Sequence, residues 1–170
     1  MKKFLPSLLA ATAIIAAPTA MAEGFYADGG YTYIGIDDDT VDADLGGLTA
    51  RGGYDFTQNF GAELEGSFGV EDDDVLGATV ELNYLVGAYG KAQLPVTEKI
   101  NLFARAGVVN AELEVSDAGV SVSESDTGAG YGLGGTFNVS EQFYVRGDYT
   151  RYDIEDLEAD AFTISLGLKF

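Results

Sequence analysis

Ala161-Phe162-Thr163-Ile164-Ser165-Leu166-Gly167-Leu168-Lys169-Phe170 closes the chain. Phe162, Ile164, Leu166, Leu168 and Phe170 fall on one face; Ala161, Thr163, Ser165, Gly167 and Lys169 fall on the other. Strict period-two alternation marks a strand with one apolar and one polar side. A final aromatic with no polar tail suits a strand that ends at a lipid–water boundary.

The start of the chain obeys a different logic. Lys2 and Lys3 precede an apolar stretch from Phe4 to Ala17, and Ala20-Met21-Ala22 follows as a small-x-small cleavage site. This is the pattern of a secretory signal peptide, with the mature chain expected to begin at Glu23. The expected organisation is a signal peptide over 1–22 and one β-barrel domain over 23–170. Removing the leader takes two lysines and no acid, so a net charge of −19 becomes −21 on 148 residues. Such an excess of carboxylates opposes nucleic acid as a partner, because affinity for phosphate backbones comes from Lys and Arg. The chain has no cysteine, so an exported fold must hold through packing and hydrogen bonds alone. Beyond residue 22 no apolar run is long enough for a membrane helix. A bilayer then leaves only a closed barrel, since lipid offers no partner to an open strand edge.

Alternating segments recur at about 24–36, 45–56, 60–70, 77–94, 100–115, 126–137, 143–154 and 161–170. The gaps between them are of two kinds. Thr57-Gln58-Asn59, Pro95 to Lys99 and Asn138 to Gln142 are short turns. The rest are acidic and read as longer loops: Asp37-Asp38-Asp39 with Asp42 and Asp44, Glu71 to Asp74, Asp117 to Glu124, and Glu155-Asp156 with Glu158 and Asp160. Short turns at one end and longer loops at the other describe an up-and-down outer-membrane barrel, with the turns in the periplasm. Phe25, Phe56, Phe60, Phe137, Phe143 and Phe170 then gather beside the turn end as an interfacial girdle, with Leu94 and Ile100 at the same level. Tyr33, Phe68, Tyr149 and Phe162 form a looser outer ring.

Alternation assigns two faces. Ala62, Leu64, Phe68, Val80, Leu82, Tyr84, Val86, Ala104, Ala106, Tyr131, Leu133, Val145, Ile164 and Leu166 are expected toward lipid. Asp28, Arg51, Asp55, Glu63, Glu65, Glu81, Tyr89, Lys91, Arg105, Arg146, Asp148 and Lys169 are expected inside. Apolar Ala111, Leu113 and Val115 break phase with Ala104 and Ala106, which predicts a bulge near Val108-Val109. Seven Lys and Arg remain after residue 22, and five of them fall on the inner face. Isolated charges in a narrow lumen cost several kcal/mol, so an inner salt-bridge network is expected.

Gly130-Tyr131-Gly132-Leu133-Gly134-Gly135-Thr136-Phe137, a short turn, and Phe143-Tyr144-Val145-Arg146-Gly147-Asp148-Tyr149-Thr150-Arg151-Tyr152 make a hairpin that resembles those of the small eight-stranded OmpA/OmpX-type outer-membrane barrels. Phe103-Ala104-Arg105-Ala106-Gly107 looks like the strand before it, and Leu166 to Phe170 is similar to the signal read by the barrel-assembly machinery. The resemblance covers the whole of 23–170. It implies outer-membrane lipid and lipopolysaccharide as surroundings and a role in envelope integrity, adhesion or surface contact. With Phe170 last, the peptidoglycan-binding domain of longer relatives is not expected.

Catalysis is not expected. The chain has neither His nor Cys, and barrel enzymes that act on lipids or peptides resemble one another in needing a His. Glu63 and Glu65 share one face of one strand without an implied cleft, so they do not read as a glycosidase pair. The glycines at 130, 132, 134 and 135 precede a strand and not a helix, so they are not a phosphate loop; they are expected to make room for Tyr144, Arg146 or Tyr89. Cofactors, resident metals and catalytic residues are therefore none. The acidic stretches carry two readings, a solvated outer surface or a site for divalent cations or another external partner. The sequence thus predicts an all-β, eight-stranded antiparallel transmembrane barrel with a side-chain-filled lumen. A narrow porin-like channel and a soluble lipocalin-like ligand carrier stand as alternatives.

Overall fold

The computed structural model describes residues 24–38, 41–71, 73–75, 78–117, 120–154 and 157–170, with side chains described outside 36–44, 71–81, 113–124 and 155–157. Nine strands follow in order: β1 Phe25–Asp38, β2 Val41–Asp55, β3 Phe60–Glu71, β4 Asp73–Val75, β5 Ala78–Pro95, β6 Ile100–Asp117, β7 Val120–Asn138, β8 Phe143–Ile154 and β9 Leu157–Lys169. Each pairs antiparallel with its neighbour, β1 pairs with β9, and β3 pairs with β5 from Phe60↔Ala92 to Ser67↔Leu85. The sheet therefore closes. Eight strands make the wall, and β4 is a three-residue prolongation beyond β3 that pairs with the start of β5.

The three turns fall at 56–59, 96–99 and 139–142, at the end of the barrel that also holds Gly24 and Phe170. All three follow one scheme: an apolar residue, Thr or Ser, two polar residues, and an apolar residue that begins the next strand. In each the hydroxyl oxygen accepts two backbone N–H groups. Thr57 takes those of Asn59 and Phe60 at 3.2 and 3.0 Å. Thr97 takes those of Lys99 and Ile100 at 3.2 and 3.0 Å. Ser140 takes those of Gln142 and Phe143 at 3.3 and 3.0 Å. Ser and Thr hydroxyls favour turns for this reason. Pro95, expected inside a turn, is instead the last residue of β5, opposite Asn101.

At the other end the strands run further than expected. β1 reaches Asp38 and β2 starts at Val41; β6 reaches Asp117 and β7 starts at Val120; β8 reaches Ile154 and β9 starts at Leu157. Asp37, Asp38, Asp42 and Asp44 thus lie in strands, as do Asp117 and 120–124, and not in loops. The side chains of those acids, of Glu71 to Asp74 and of Glu155-Asp156 lie outside the described residues.

The exposed outer wall is apolar over the turn-side half. Leu64, Leu133, Ile164 and Leu166 all face outward, and Leu166 is 69% exposed. The expected lower girdle is in place, with Phe25, Phe56, Phe60, Phe137, Phe143 and Phe170 exposed. Tyr33, Tyr149 and Phe162 share one level, since Phe162 pairs with both tyrosines, and Phe68 is also exposed. This polarity is the reverse of a lipocalin-like carrier, whose apolar side faces the lumen.

Past the outer ring the two faces exchange character. Along β8 the outward positions change from Phe143, Val145 and Tyr149 to Arg151 and Asp153, while the inward ones change from Arg146 and Asp148 to Tyr152 and Ile154. Along β9, Leu166, Ile164 and Phe162 outside give way to Asp160 and Glu158, and Ser165 and Thr163 inside give way to Ala161 and Ala159. A membrane-spanning strand needs about 9–11 residues, and β6 and β7 have 18 and 19. Roughly half of each stands in water, where apolar groups must turn inward.

Two expectations fail for this reason. Leu82 is buried in the lumen and not turned to lipid. The register shifts between Leu82 and Tyr84, and the extra residue, Asn83, reverses the parity of everything before it. The bulge expected at Val108-Val109 is absent: Phe103, Arg105, Val109 and Ala111 are all inward and the β6–β7 register is continuous. The irregularity lies across the ladder on β5.

Candidate functional site

Among the described residues the lumen gathers the largest set of buried charges, so it is the candidate site. Three layers follow one another from the turn end. The first is an open chamber lined by Asp55, Lys91, Asn138, Tyr144 and Lys169 among others. The second is ionic. The third is apolar.

The ionic layer is built by period-two geometry on five strands. Asp28 comes from β1, Arg51 from β2, Glu63 and Glu65 from β3, Arg105 from β6, and Arg146 with Asp148 from β8; all seven are buried. Arg146 Nη1 and Nη2 donate to Glu63 at 2.5 and 3.1 Å, and its Nε donates to Asp148 Oδ1 at 2.8 Å. Arg105 Nη1 donates to Glu63 and Glu65 at 2.8 and 2.6 Å. Arg51 Nε donates to Glu65 at 2.6 Å, and its Nη groups reach Asp28 at 3.3 Å and Asp148 at 3.1 Å. Phenols complete the shell. Tyr26 donates to Glu63 at 2.8 Å, Tyr144 to Asp28 at 2.9 Å, and Tyr89 and Tyr152 to Glu65 at 3.2 and 2.9 Å. Every oxygen of the four carboxylates accepts at least one hydrogen bond. Buried charge persists only when it is paired and saturated in this way.

Beside the ions runs a hydroxyl ladder. Thr32 shares hydrogen bonds with Thr49 at 2.5 Å and Thr163 at 2.8 Å, and Thr49 with Ser67 at 2.7 Å. Arg105 Nη2 donates to Thr150 at 2.7 Å. Above them Ile34, Leu45, Leu82, Leu85, Val109, Ala111, Tyr152, Ile154, Ala159 and Ala161 pack as one buried cluster. An apolar plug thus sits on the ionic one.

Of the residues expected inside, Asp28, Arg51, Glu63, Glu65, Tyr89, Lys91, Arg105, Arg146 and Asp148 are buried there. Asp55 and Lys169 are half-buried at the chamber. The side chain of Glu81 lies outside the described residues. Glu63 and Glu65 are saturated by arginines and phenols, which leaves no room for a sugar between them. The glycines of β7 do make room, though not for all the neighbours expected. A Cβ on Gly130 would meet the Tyr89 ring at 2.9 Å, while one on Gly134 would meet Phe103 at 2.6 Å, the ring on which the Arg146 guanidinium stacks at 4.3 Å. Tyr144 is admitted instead by Gly167, and Arg146 by no glycine directly. Among the described residues no group of three or more acids is arranged to hold a metal.

Sequence reasoning missed Tyr26, Tyr152, Phe103 and the hydroxyl ladder, and named Tyr144 only as a neighbour of the glycines. The signal was present. Tyr26 precedes Asp28 by two, Phe103 precedes Arg105 by two, and Tyr144 precedes Arg146 by two, so each shares its neighbour's face.

A family model described as outer membrane protein beta-barrel domain matches residues 7–170. Several solved structures share the architecture. Ail of Yersinia pestis, solved in complex with the heparin analogue sucrose octasulfate, has a TM-score of 0.69 at 18% identity, over 87% of this chain and 99% of that one. Neisserial surface protein A, NspA, has a TM-score of 0.68 at 13% identity, over 86% and 97%. The N-terminal β-barrel domain of Pseudomonas aeruginosa OprF has a TM-score of 0.63 at 16% identity, over 86% and 98%. No curated protein sequence matches the chain.

Proposed function

We propose, for a chain that belongs to the outer membrane protein beta-barrel domain family and is an integral outer-membrane barrel, a structural and surface-presenting role with a sealed lumen. One observation carries this reading: the ionic layer is saturated and the apolar cluster lies directly over it. An ion crossing the barrel would have to displace buried Arg–carboxylate pairs and then cross a dry apolar layer, each step costing several kcal/mol. The chain in planar bilayers should therefore give no discrete conductance steps. Regular steps that scale with protein added would overturn the sealed reading and favour the narrow channel. No reaction is assigned, because the chain holds neither His nor Cys and its buried carboxylates are fully engaged.

The surroundings follow from the same geometry. The apolar band between the two aromatic rings meets lipid, and the outer ring meets the lipopolysaccharide leaflet. The strand ending at Phe170 is the natural contact for the assembly machinery. Residues 1–22 are read as a cleaved leader, and the membrane form should begin at Glu23 by mass.

External partners are narrowed by charge. Arg51, Arg105, Arg146, Lys91 and Lys169 are in the lumen or its mouth, and Lys99 is in a turn, which leaves Arg151 as the one cation after residue 22 on the outer side. Arg151 is itself engaged by Glu158 and Asp160. Ail was solved with a sulfated ligand; here a sulfated glycan would meet a field of acids. A neutral or cationic partner fits instead, with divalent cations as bridges to anionic lipid. Calcium titration followed by outer-strand chemical shifts tests the bridging.

A further inference from the structure

The lumen narrows from an open chamber of about 1150 Å³ at the turn end. That exceeds the roughly 300–1,000 Å³ typical of small-molecule sites. Its position is unusual for this chain's charge. Acids outnumber bases by 28 to 9 overall, yet Asp55 is the only acidic side chain among the described residues that line this chamber. Lys91 and Lys169 line it together, two of the three lysines found after residue 22, while Arg146 behind them is already engaged by Glu63, Asp148 and Asp28.

The two ammonium groups are held by the wall and not by salt bridges to the ionic layer. Lys91 Nζ lies 3.0 Å from Asp55 Oδ1 and 4.0 Å above the Tyr26 ring. Lys169 Nζ donates to Asn138 Oδ1 at 2.8 Å and lies 5.8 Å from the Tyr144 ring. An ammonium carries three N–H donors, more than these contacts use. Gln93, Asn101 and Thr136 add neutral amide and hydroxyl groups to the same lining. Lys91 is itself only 8% exposed, so a charge it meets is poorly screened.

We propose that this chamber is a binding site for a small periplasmic oxyanion, phosphate-like in chemistry, bridged between Lys91 and Lys169. Asp55 is the resident competitor: it occupies Lys91 when the chamber is empty and yields it to the guest. Lys99, in the exposed turn at the same end, takes no part. The site does not depend on the sealed lumen; a conducting barrel would refute the sealed reading and leave this one standing.

The test is a titration of the folded chain in lipid nanodiscs with inorganic phosphate at constant ionic strength, chloride serving as the control anion. The side-chain ammonium signals of Lys91 and Lys169 should shift saturably, with a Kd in the millimolar range, while Lys99 stays still. Lys91→Met should weaken binding about tenfold or more, the loss expected for a charge-assisted contact. Lys91→Arg should retain it. Asp55→Asn should tighten it severalfold by removing the competitor. Heat-dependent gel migration confirms that each variant is folded, and Lys169→Met repeats the test from the other side. A linear drift shared by all three lysines, equal shifts with chloride, or unchanged affinity in folded Lys91→Met and Lys169→Met would overturn the proposal.

Discussion

Arg146→Met tests whether the ionic layer holds the barrel shut or merely decorates a wet lumen. Arg146 donates to Glu63 through both Nη groups, to Asp148 Oδ1 through Nε, and to Asp28 at 3.5 Å, and it stacks on Phe103. Methionine keeps much of the volume, so the change is chiefly electrostatic. Glu63 would retain Arg105 and Tyr26, and Asp28 would retain Arg51 and Tyr144. Asp148 Oδ1 would lose its donor, and four carboxylates would face two guanidinium groups instead of three. Removing one partner of a buried, hydrogen-bonded pair costs about 3–5 kcal/mol, and the lost stacking adds about 0.5–2 kcal/mol. A total of about 3.5–7 kcal/mol is a large part of the roughly 5–15 kcal/mol that holds a domain folded. Equilibrium urea unfolding in lipid vesicles measures it, followed by circular dichroism and gel migration because the chain has no Trp. Glu63→Gln should be destabilising alone but should recover about 1–3 kcal/mol in the Arg146→Met background, since it removes a carboxylate left in excess. Arg151→Met, on the exposed outer wall, should leave the midpoint unchanged. A loss below about 1 kcal/mol with no coupling to Glu63 is the behaviour of a hydrated surface pair, and it would refute the sealed lumen.

Other consequences are as direct. Leu82→Ala should cost about 2–5 kcal/mol as a core truncation; in a chain free of cysteine, Leu64→Cys and Leu166→Cys should react with a lipid-soluble maleimide while Leu82→Cys stays protected, and equal labelling would remove the bulge at Asn83. Gly167→Ala places a Cβ 2.1 Å from the Tyr144 ring and should destabilise by about 1–3 kcal/mol, whereas Gly52→Ala, with nothing within 4 Å, should be neutral in the same urea assay. Thr57→Val, Thr97→Val and Ser140→Ala each delete an acceptor of two turn N–H groups and should cost about 0.5–1.5 kcal/mol apiece; because the turns are separate, the triple variant should show the sum.

The closed barrel, both aromatic rings and nearly all of the lumenal charges could be read from the sequence. They rest on period two, which backbone geometry imposes without reference to surroundings. Arg105 and Arg146 fall inside because Ala104, Ala106 and Val145, one position away, belong outside. The misplaced residues lie where the lumen turns apolar. Alternation states neither where a bulge reverses the faces nor which solvent a face meets. Alternation with Tyr84 and Val86 sends Leu82 to lipid, because the bulge at Asn83 leaves no mark in the pattern, and a slip at Val108-Val109 is expected so as to send Ala111 there as well. Both lie above the membrane, where apolar groups belong inside. The acidic stretches read as loops because Asp and Glu disfavour strands in isolation, but the hairpin ladders β1–β2 and β6–β7 continue through them to Asp38↔Val41 and Asp117↔Val120. The chamber at the turn end was not legible at all, since a volume enclosed by eight strands is not a property of any one of them.

The exchange of faces also explains why the membrane half of the lumen is ionic when an apolar filling would pack more easily. If both faces of the wall were apolar within the bilayer, a one-residue slip between strands would exchange two greasy surfaces at little cost. With Arg51, Arg105 and Arg146 inside, the same slip would carry guanidinium groups into hydrocarbon, at about 2–4 kcal/mol for each one near the midplane. The network therefore fixes register as well as closing the bore. Its longest ties make the point: Arg146 on β8 reaches Glu63 on β3, and Arg105 on β6 reaches the same carboxylate. β8 is no ladder neighbour of β3, nor is β6, so these bonds form only when the sheet has curled shut in the right alignment. Above the outer ring water resumes on the outside, a slip again exposes apolar groups to it, and the lumen can revert to Leu, Ile and Val. Ionic filling is needed only where the outside is oil, and that is where the chain places it.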